Sequence, residues 1–205
     1  PPQVGKRLIW YNVHLNNPDA AGESAALLAE KADILALAEI NLDNPGWQRL
    51  RVHYPHGCQH QEASPFALAL WSTVPLASCD IAYSSNFPYI RATTTDGIAL
   101  YALHPPPISS ALAAARIAYL HDTAARIAIE PRALAAGDLN SSPYSPHSRD
   151  FLHTSGTTAT TRYLTPTWRP LLLNLDHALV KNLAADTTPL PWRHSDHRPL
   201  RVDYR

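Results

Sequence analysis

Short apolar runs, each closed by a polar residue, organise the first half of the chain. Arg7–His14 (RLIWYNVH) has the near-continuous apolar character of a buried strand and ends at Asn12. Asp33–Glu39 (DILALAE) repeats the pattern and ends on an acid. Between them, Asp19–Lys31 (DAAGESAALLAEK) is filled with Ala, Leu and Glu behind an Asp suited to a helix start. Strand-like runs recur at Phe66–Ser72, Asp80–Ser84 and Gly97–His104. Ser64-Pro65, Val74-Pro75, Asn86-Phe87-Pro88 and Asp96-Gly97 separate them as turns, which predicts a meander. Pro105-Pro106-Pro107 stops its last strand.

The second half changes period. Ile108–Glu130 is Ala-rich, with Leu112, Ala115, Tyr119, Ala125 and Ile129 at helical spacing, and predicts an amphipathic helix lying on a sheet. Arg132–Ala136 predicts a strand leading into Gly137-Asp138-Leu139-Asn140. A short helix is expected around Ser148–His153, with closing strands at Leu171–Lys181 and Arg198–Tyr204. The Thr-rich stretch Thr154–Thr167 reads as an ordered loop anchored by Tyr163, Leu164 and Trp168. Strands outnumber helices, and no internal repeat or linker is visible. The expected fold is α/β (α+β): two mostly antiparallel β-sheets packed face to face with helices on the outside, a four-layer α/β/β/α sandwich. A chain of 205 residues, 45% hydrophobic, suits one domain spanning 1–205.

Charge narrows the partners. Lys+Arg and Asp+Glu each number 17, for a formal net charge of zero. A strongly basic duplex-binding surface is therefore not evident. No transmembrane segment is expected, because no apolar run reaches the ~18–20 residues that span a bilayer. The chain begins Pro-Pro, has no Met and shows no signal-peptide pattern. It is expected to be a trimmed piece of a membrane-anchored or secreted protein, with its location left open. Cys58 and Cys79 are neither CxxC nor zinc-spaced. The first reading is two partly buried thiols; the alternative is a disulfide, which would point to an oxidising compartment.

Asn12, Glu39, His104, Asp138, Asn140, Asp176, Asp196 and His197 all fall at or beside predicted strand ends. Loops at one rim of a sheet core converge, so these groups are candidates for a single site. Their chemistry is that of metal-assisted attack on a phosphate ester. Oxygen donors suit a hard divalent cation, and a paired Asp and His manage a proton. His177 should point away from Asp176 on the same strand and is read as a packing residue. His14 is read as structural, and His53, His56 and His60 lack the one-face geometry of a zinc site.

In this order the residues resemble the endonuclease/exonuclease/phosphatase superfamily, the deoxyribonuclease I-like enzymes. The resemblance runs from Asn12 to Leu200. It places the Asn of the first strand end at Asn12 and the metal-binding Glu at Glu39, where Ala38 replaces the usual preceding Gln. It places the His-or-Tyr position at His104, the GDxN motif at Asp138 and Asn140, the Asp that orients the catalytic His at Asp176, and the terminal SDH motif at Ser195, Asp196 and His197. Finer details are similar to a bacterial branch called YafD-like: His104–Pro107, Asn140–Ser145, Pro166–Trp168 and Ser195–Leu200.

The resemblance implies a Mg²⁺- or Mn²⁺-dependent phosphoesterase, most readily a phosphodiesterase. Glu39, Asn12 and Asp196 would hold the metal. His197, Asp176, Asp138, Asn140 and His104 would do the chemistry. Apart from the resemblance, Trp168 reads equally as a wall for the substrate or as a buried anchor. A DNA endonuclease or exonuclease of the same superfamily is the alternative, and a catalytically silent binding module a further one. The partner is a phosphoester substrate, whether small molecule, lipid or nucleic acid, and the chain is expected to act as a monomer.

Overall fold

The computed structural model describes residues 5–160 and 165–205. β1 (Lys6–Asn12), α1 (Ala20–Ala29) and β2 (Ile34–Ala38) open the chain, followed by α2 (Pro45–Gln48), β3 (His56–His60) and β4 (Leu68–Ser72). β5 (Ser78–Ser84), β6 (Phe87–Thr93) and β7 (Ala99–Leu103) make the meander, and α3 (Ala113–Ala128) follows it. β8 (Ala133–Asp138), α4 (Pro146–Ser155), β9 (Thr158–Ala159), β10 (Asp176–Lys181), β11 (Ala185–Pro189) and β12 (Leu200–Tyr204) complete the order.

The strands form two six-stranded sheets, ordered β11-β12-β1-β2-β4-β3 and β5-β6-β7-β8-β10-β9. Each sheet has one parallel pair near its centre, β1 with β2 and β7 with β8, and antiparallel neighbours elsewhere. A parallel pair needs a crossover, and α1 and α3 supply the two. Leu8 and Trp10 of β1 meet Ile90, Leu100 and Leu134 of the other sheet in a shared core. Ile9 and Tyr11 point the other way, into a cluster with Leu27 of α1 and Trp47 of α2. Tyr101 and Leu103 of β7 likewise pack outward with Tyr119 and Ile127 of α3. The layers are therefore helix, sheet, sheet, helix, as expected. The central strands are buried on both faces, which is why they read as continuous apolar runs.

Local chemistry sets the helix ends. Asp19 Oδ1 accepts the Gly22 N–H at 3.1 Å and caps α1. Ser145 caps α4, Pro146 enters its first turn, and Gly156 closes it at φ 70°. α3 begins at Ala113 rather than Ile108, because the segment after the triple proline stays outside it. Its buried face is Tyr119, Leu120, Thr123, Ala124 and Ile127. Ala125 and Ile129, assigned to that face from spacing, point to solvent.

Other expectations are corrected. The turn after β5 is Ser85-Asn86, both at positive φ, and Phe87-Pro88 begins β6. β3 and β11 were not anticipated: both alternate partly buried and exposed residues and lack an apolar run. The closing strand expected from Leu171 starts at Asp176, and Leu171–Leu173 project into solvent instead. The expected anchors Tyr163 and Leu164 lie outside the described residues. The thiol reading of the cysteines gives way to a disulfide. Cys58 in β3 and Cys79 in β5 are bonded, with Cα atoms 5.7 Å apart. These are edge strands of the two sheets, so the bond joins the sheets along one side. No described helix is long and apolar enough to cross a membrane.

Candidate active site

Two pairs of parallel strands bring the candidate groups to one rim. β1 ends at Asn12, and β2 runs directly into Glu39. β7 runs into His104, and β8 ends at Asp138. β10 starts at this same end with Asp176, opposite Asp138 in register. β12 is antiparallel to β1, so the loop that precedes it carries Ser195, Asp196 and His197 to the same place.

Asn12 Nδ2 donates to Glu39 Oε2 at 2.6 Å and to Asp138 Oδ2 at 3.1 Å, linking the two sheets. Its Oδ1 accepts the His14 N–H at 3.1 Å. Glu39 adopts φ 56°, an unusual backbone for a residue with a side chain, and it is half-buried. Asn140 also has positive φ, which Asn tolerates. Its backbone N–H donates to Asp138 Oδ1 at 3.0 Å, while its side-chain amide donates to Pro105 O at 3.3 Å. Gly137 precedes the acid for a steric reason: a Cβ there would collide with Leu103 O on the neighbouring strand.

His197 is buried and held at both nitrogens. Nδ1 lies 2.6 Å from Asp176 Oδ2, and Nε2 lies 3.4 Å from Asp138 Oδ2. The second Asp176 oxygen accepts the Trp10 indole N–H at 3.0 Å. Ser195 Oγ donates to Asn12 O at 2.6 Å and accepts the His197 N–H at 3.0 Å. The histidine loop is thereby tied to the end of β1. His104 Nε2 lies 3.7 Å from Asp138 Oδ2, and its buried Nδ1 has no hydrogen-bond partner among the described residues.

The electrostatics are those of a crowded buried carboxylate. Burial, then the neighbouring Asp176 charge, push Asp138 up to about 6, against the pull of His197, His104 and the Asn140 N–H. Burial disfavours a charged His197, but the Asp176 carboxylate, helped by Asp138 and Asp196, outweighs it and raises the imidazole to about 10. Asp138 sits between two histidines, so it is shared by the two groups of convergent ligand atoms among the described residues. These are Glu39/His104/Asp138 and Asp138/Asp176/His197, each within 4.8 Å.

The sequence-derived set divides here. Asn12, Glu39, His104, Asp138, Asp176 and His197 come together. Asp196 belongs to neither cluster. Its Oδ2 accepts the Trp168 indole N–H at 3.1 Å, and its Oδ1 faces His14 Nδ1 at 3.8 Å. Trp168 is thus a holder of Asp196, and its backbone also bridges Leu173 and His197. His177 turns to the far side of its strand and hydrogen-bonds Ser141 O at 2.7 Å, where burial pushes its pKa down. Two positioning residues were missed. Trp10 was hidden in an apolar run, although a buried indole N–H always needs an acceptor. Thr167 Oγ1 accepts the N–H groups of Leu175 at 3.0 Å and Asp176 at 2.9 Å, and no sequence signal marks it.

Comparison with known proteins bears on the family and the fold. The model of the Endonuclease/Exonuclease/phosphatase family matches residues 9–197. The chain belongs to this family. No curated protein shows significant sequence similarity to it. Among solved structures, a humanized D. rerio TDP2 with 14 mutations is similar at TM-score 0.78 and 16% identity, covering 98% of this chain and 99% of that one. Sphingomyelinase C from Streptomyces griseocarneus gives 0.72 and 15%, covering 98% and 99%. The human Nocturnin catalytic domain with bound sulfate gives 0.70 and 15%, covering 98% and 94%. Identities this low show the family's fold alone.

Proposed function

We propose that this chain is a divalent-metal-dependent phosphodiesterase that hydrolyses its ester by attack of water on phosphorus. The observation that carries the reading is His197, held by Asp176 on one nitrogen at 2.6 Å and facing Asp138 on the other at 3.4 Å. Such a pair has no structural need to be polar, yet it lies buried beneath an open rim.

The residues present fit a hard cation. Glu39 offers carboxylate oxygens at the half-buried mouth and Asp196 a further carboxylate from the histidine loop; buried Asn12 joins them only by turning its Oδ1 away from the His14 N–H, and the described residues hold no cysteine thiol. The orphaned Nδ1 of His104 marks a further polar atom with no partner among the described residues. Mg²⁺ or Mn²⁺ held by Glu39, Asn12 and Asp196 would supply polarisation of a phosphoryl oxygen and offset charge on the leaving oxygen.

The chain's own groups handle the proton. Asp138, ionising at about 6, is a carboxylate at neutral pH and accepts the proton of the attacking water. His197, raised to about 10, is the imidazolium and gives its Nε2 proton to the leaving oxygen as the P–O bond breaks. Asp176 fixes the ring through Nδ1. His104 hydrogen-bonds a non-bridging phosphate oxygen, and Asn140 exchanges Pro105 O for the water or a phosphate oxygen. Trp168 acts through Asp196. Residues 1–205 act as one catalytic unit, as a monomer. The motif details at His104–Pro107, Asn140–Ser145 and Ser195–Leu200 support a YafD-like reading within the family. The Cys58–Cys79 bond suits work in an oxidising compartment.

Hydrolysis of bis(p-nitrophenyl) phosphate tests the reading. Excess chelator should abolish it, and Mg²⁺ or Mn²⁺ should restore it. Full activity in chelator overturns the metal. No activity with any divalent ion favours the silent binding module. TDP2 from D. rerio has been solved with a single-strand DNA product, so a DNA-cleaving reading is kept as second. Rapid, steeply salt-dependent plasmid cutting that is lost in His197→Ala would favour it.

A further inference from the structure

The rim of the site is unexpectedly apolar on one side. Between α4 and β10 the chain makes a tight loop in which Trp168 and Leu173 exchange backbone hydrogen bonds of 2.9 and 3.1 Å. At its tip Leu171 is 70% exposed, Leu172 64% and Leu173 41%. Leu172 also has φ 52°, an uncommon conformation for a leucine. The loop is anchored at its base: Trp168 Nε1 and the Arg169 N–H both bond to Asp196, at 3.1 and 2.8 Å. The leucines are therefore presented by the residues that build the site.

The neighbouring loops add to this side. Ile108, four residues beyond His104, is 73% exposed, and Tyr144, four beyond Asn140, is 68% exposed. All three loops leave the second sheet at the end that carries His104, Asp138 and Asp176. Arg169 and Arg198 lie over the Trp192 ring at 5.1 and 5.0 Å beside the leucine loop. Neither belongs to the arginine ion pairs of the described residues. The loops after β1 and β2 are more mixed: a cavity of about 410 Å³ there is lined by Asn16, Asn41, Asp43, Gln61 and Glu62 together with Leu15, Leu42 and Ala63.

We propose that the Leu171–Leu173 loop inserts into the surface of a phospholipid bilayer, and that the phosphodiester cleaved at this site belongs to a lipid headgroup. This rests on the phosphodiesterase reading above. Exposed apolar patches of this kind mark interaction sites. Aliphatic tips bury well in the interfacial acyl region, and an exposed tyrosine such as Tyr144 suits the headgroup level. Here the exposed tip is leucine, and guanidinium groups already lie over Trp192. Arg169 and Arg198, in no carboxylate ion pair among the described residues although Arg198 also donates to Leu190 O at 2.8 Å, complement anionic phosphates. A second protein copy seated on this loop would close the mouth, while a bilayer delivers the phosphodiester to it.

The test compares wild type with Leu171→Gln/Leu172→Gln, both exposed positions outside the catalytic cluster. Binding to phosphatidylcholine vesicles, with and without 30 mol% phosphatidylglycerol, is read by sedimentation. Hydrolysis of soluble bis(p-nitrophenyl) phosphate and of vesicle phospholipid is read in parallel. The expected result is vesicle binding at least tenfold weaker in the variant, stronger binding of wild type to the anionic vesicles, and lipid hydrolysis reduced to match, with soluble hydrolysis and melting temperature unchanged. Equal vesicle binding by the two proteins, or none by wild type, overturns the proposal. So does self-association of wild type, or single-stranded DNA binding, that the variant loses. If neither protein cleaves the soluble diester, the phosphodiesterase reading fails, and the vesicle result still decides the docking surface.

Discussion

The two crossover units of this molecule, β1–α1–β2 and β7–α3–β8, share a backbone plan and differ in what they carry. Each is a parallel pair with antiparallel neighbours, and each bears a helix on the outer face of its sheet. The first ends in Asn12 and half-buried Glu39, the second in buried His104 and buried Asp138. The Asn12–Asp138 hydrogen bond of 3.1 Å joins them. The shared plan fixes where four groups meet, and in the mechanism proposed above burial divides their work. A cation site needs oxygen atoms open to the mouth. A proton-handling site needs a carboxylate whose charge is contested, as Asp138 is between Asp176 and two histidines. The outer helices differ too. Fully buried Glu23 of α1 is satisfied by Tyr11, by Asn17 at 2.9 Å and by Arg193 at 2.6 Å. Its network is complete within the protein and leaves nothing over for chemistry.

The sharpest way to break this division is to remove one group from each unit. Asp138→Ala and His197→Ala should each lower kcat by about 10²–10⁴-fold at saturating metal, with the fold retained. Adding Asp176→Asn to His197→Ala should cost much less than the sum of the single changes, because the pair acts as a unit. Glu39→Gln should instead raise the Mg²⁺ or Mn²⁺ concentration needed for half-maximal rate. Titrating metal against rate for the single variants separates the two behaviours. Equal metal dependence of Glu39→Gln and Asp138→Ala would end the distinction.

Glu23 gives the opposite expectation. Glu23→Ala leaves the buried Tyr11 hydroxyl and Asn17 amide without their acceptor, while the exposed Arg193 turns to solvent, and should cost about 3 kcal/mol of stability. In a chain of this size that is on the order of 10 °C in Tm. The soluble diester should still be cleaved below the new melting point. A variant that melts normally but has lost its rate would move Glu23 into the site, through Arg193 and the histidine loop.

These two networks also show what the sequence discloses. The reactive cluster was legible because its members close strands whose apolar runs mark the ends, and because Gly137-Asp138-Leu139-Asn140 and Ser195-Asp196-His197 are short motifs. Glu23 was not legible: inside an Ala- and Leu-rich helix it reads as one more solvated acid, and only the fold brings Tyr11 and Arg193 to it. Trp10 and Thr167 were missed for the same reason, as their partners lie far along the chain. β3 and β11 were invisible because edge strands bury one face lightly. The duplicated crossover left no sequence repeat, since the two units share a backbone path and almost no side chains.

The disulfide sharpens the comparison between the sheets themselves, because it closes the edge where neither crossover reaches. A bond between cysteines 21 positions apart in sequence is worth about 3 kcal/mol through restriction of the unfolded chain. Reduction should lower Tm on the order of 10 °C with the rate at 25 °C little changed. Thiol titration of the unreduced, denatured protein should find no free thiol. Two free thiols would remove the bond and the inference of an oxidising compartment with it.

The smallest expected effect is a pH dependence that belongs to the buried Asp138–His197–Asp176 group. In metal-free protein His197 is raised from 6.5 to about 10. A raised basic group adds stability that is fully present below its unfolded pKa and fades as pH climbs through the folded one. The His197 contribution is therefore whole below about pH 6.5 and lost by about pH 10. Asp138, raised from 3.8 to about 6, works in the same direction at lower pH: its burial penalty is absent below 3.8 and complete above about 6. Thermal unfolding in chelator, wild type against His197→Gln, isolates the histidine. The Tm difference between them should shrink steadily from pH 7 to pH 10. Glu39→Gln should leave the wild-type slope in place over that window, because Glu39 makes its hydrogen bond to Asn12 and not to the imidazole. A His197→Gln difference that stays constant with pH would mean that Asp176 holds a neutral ring, and the proton donor would have to be sought elsewhere on the rim.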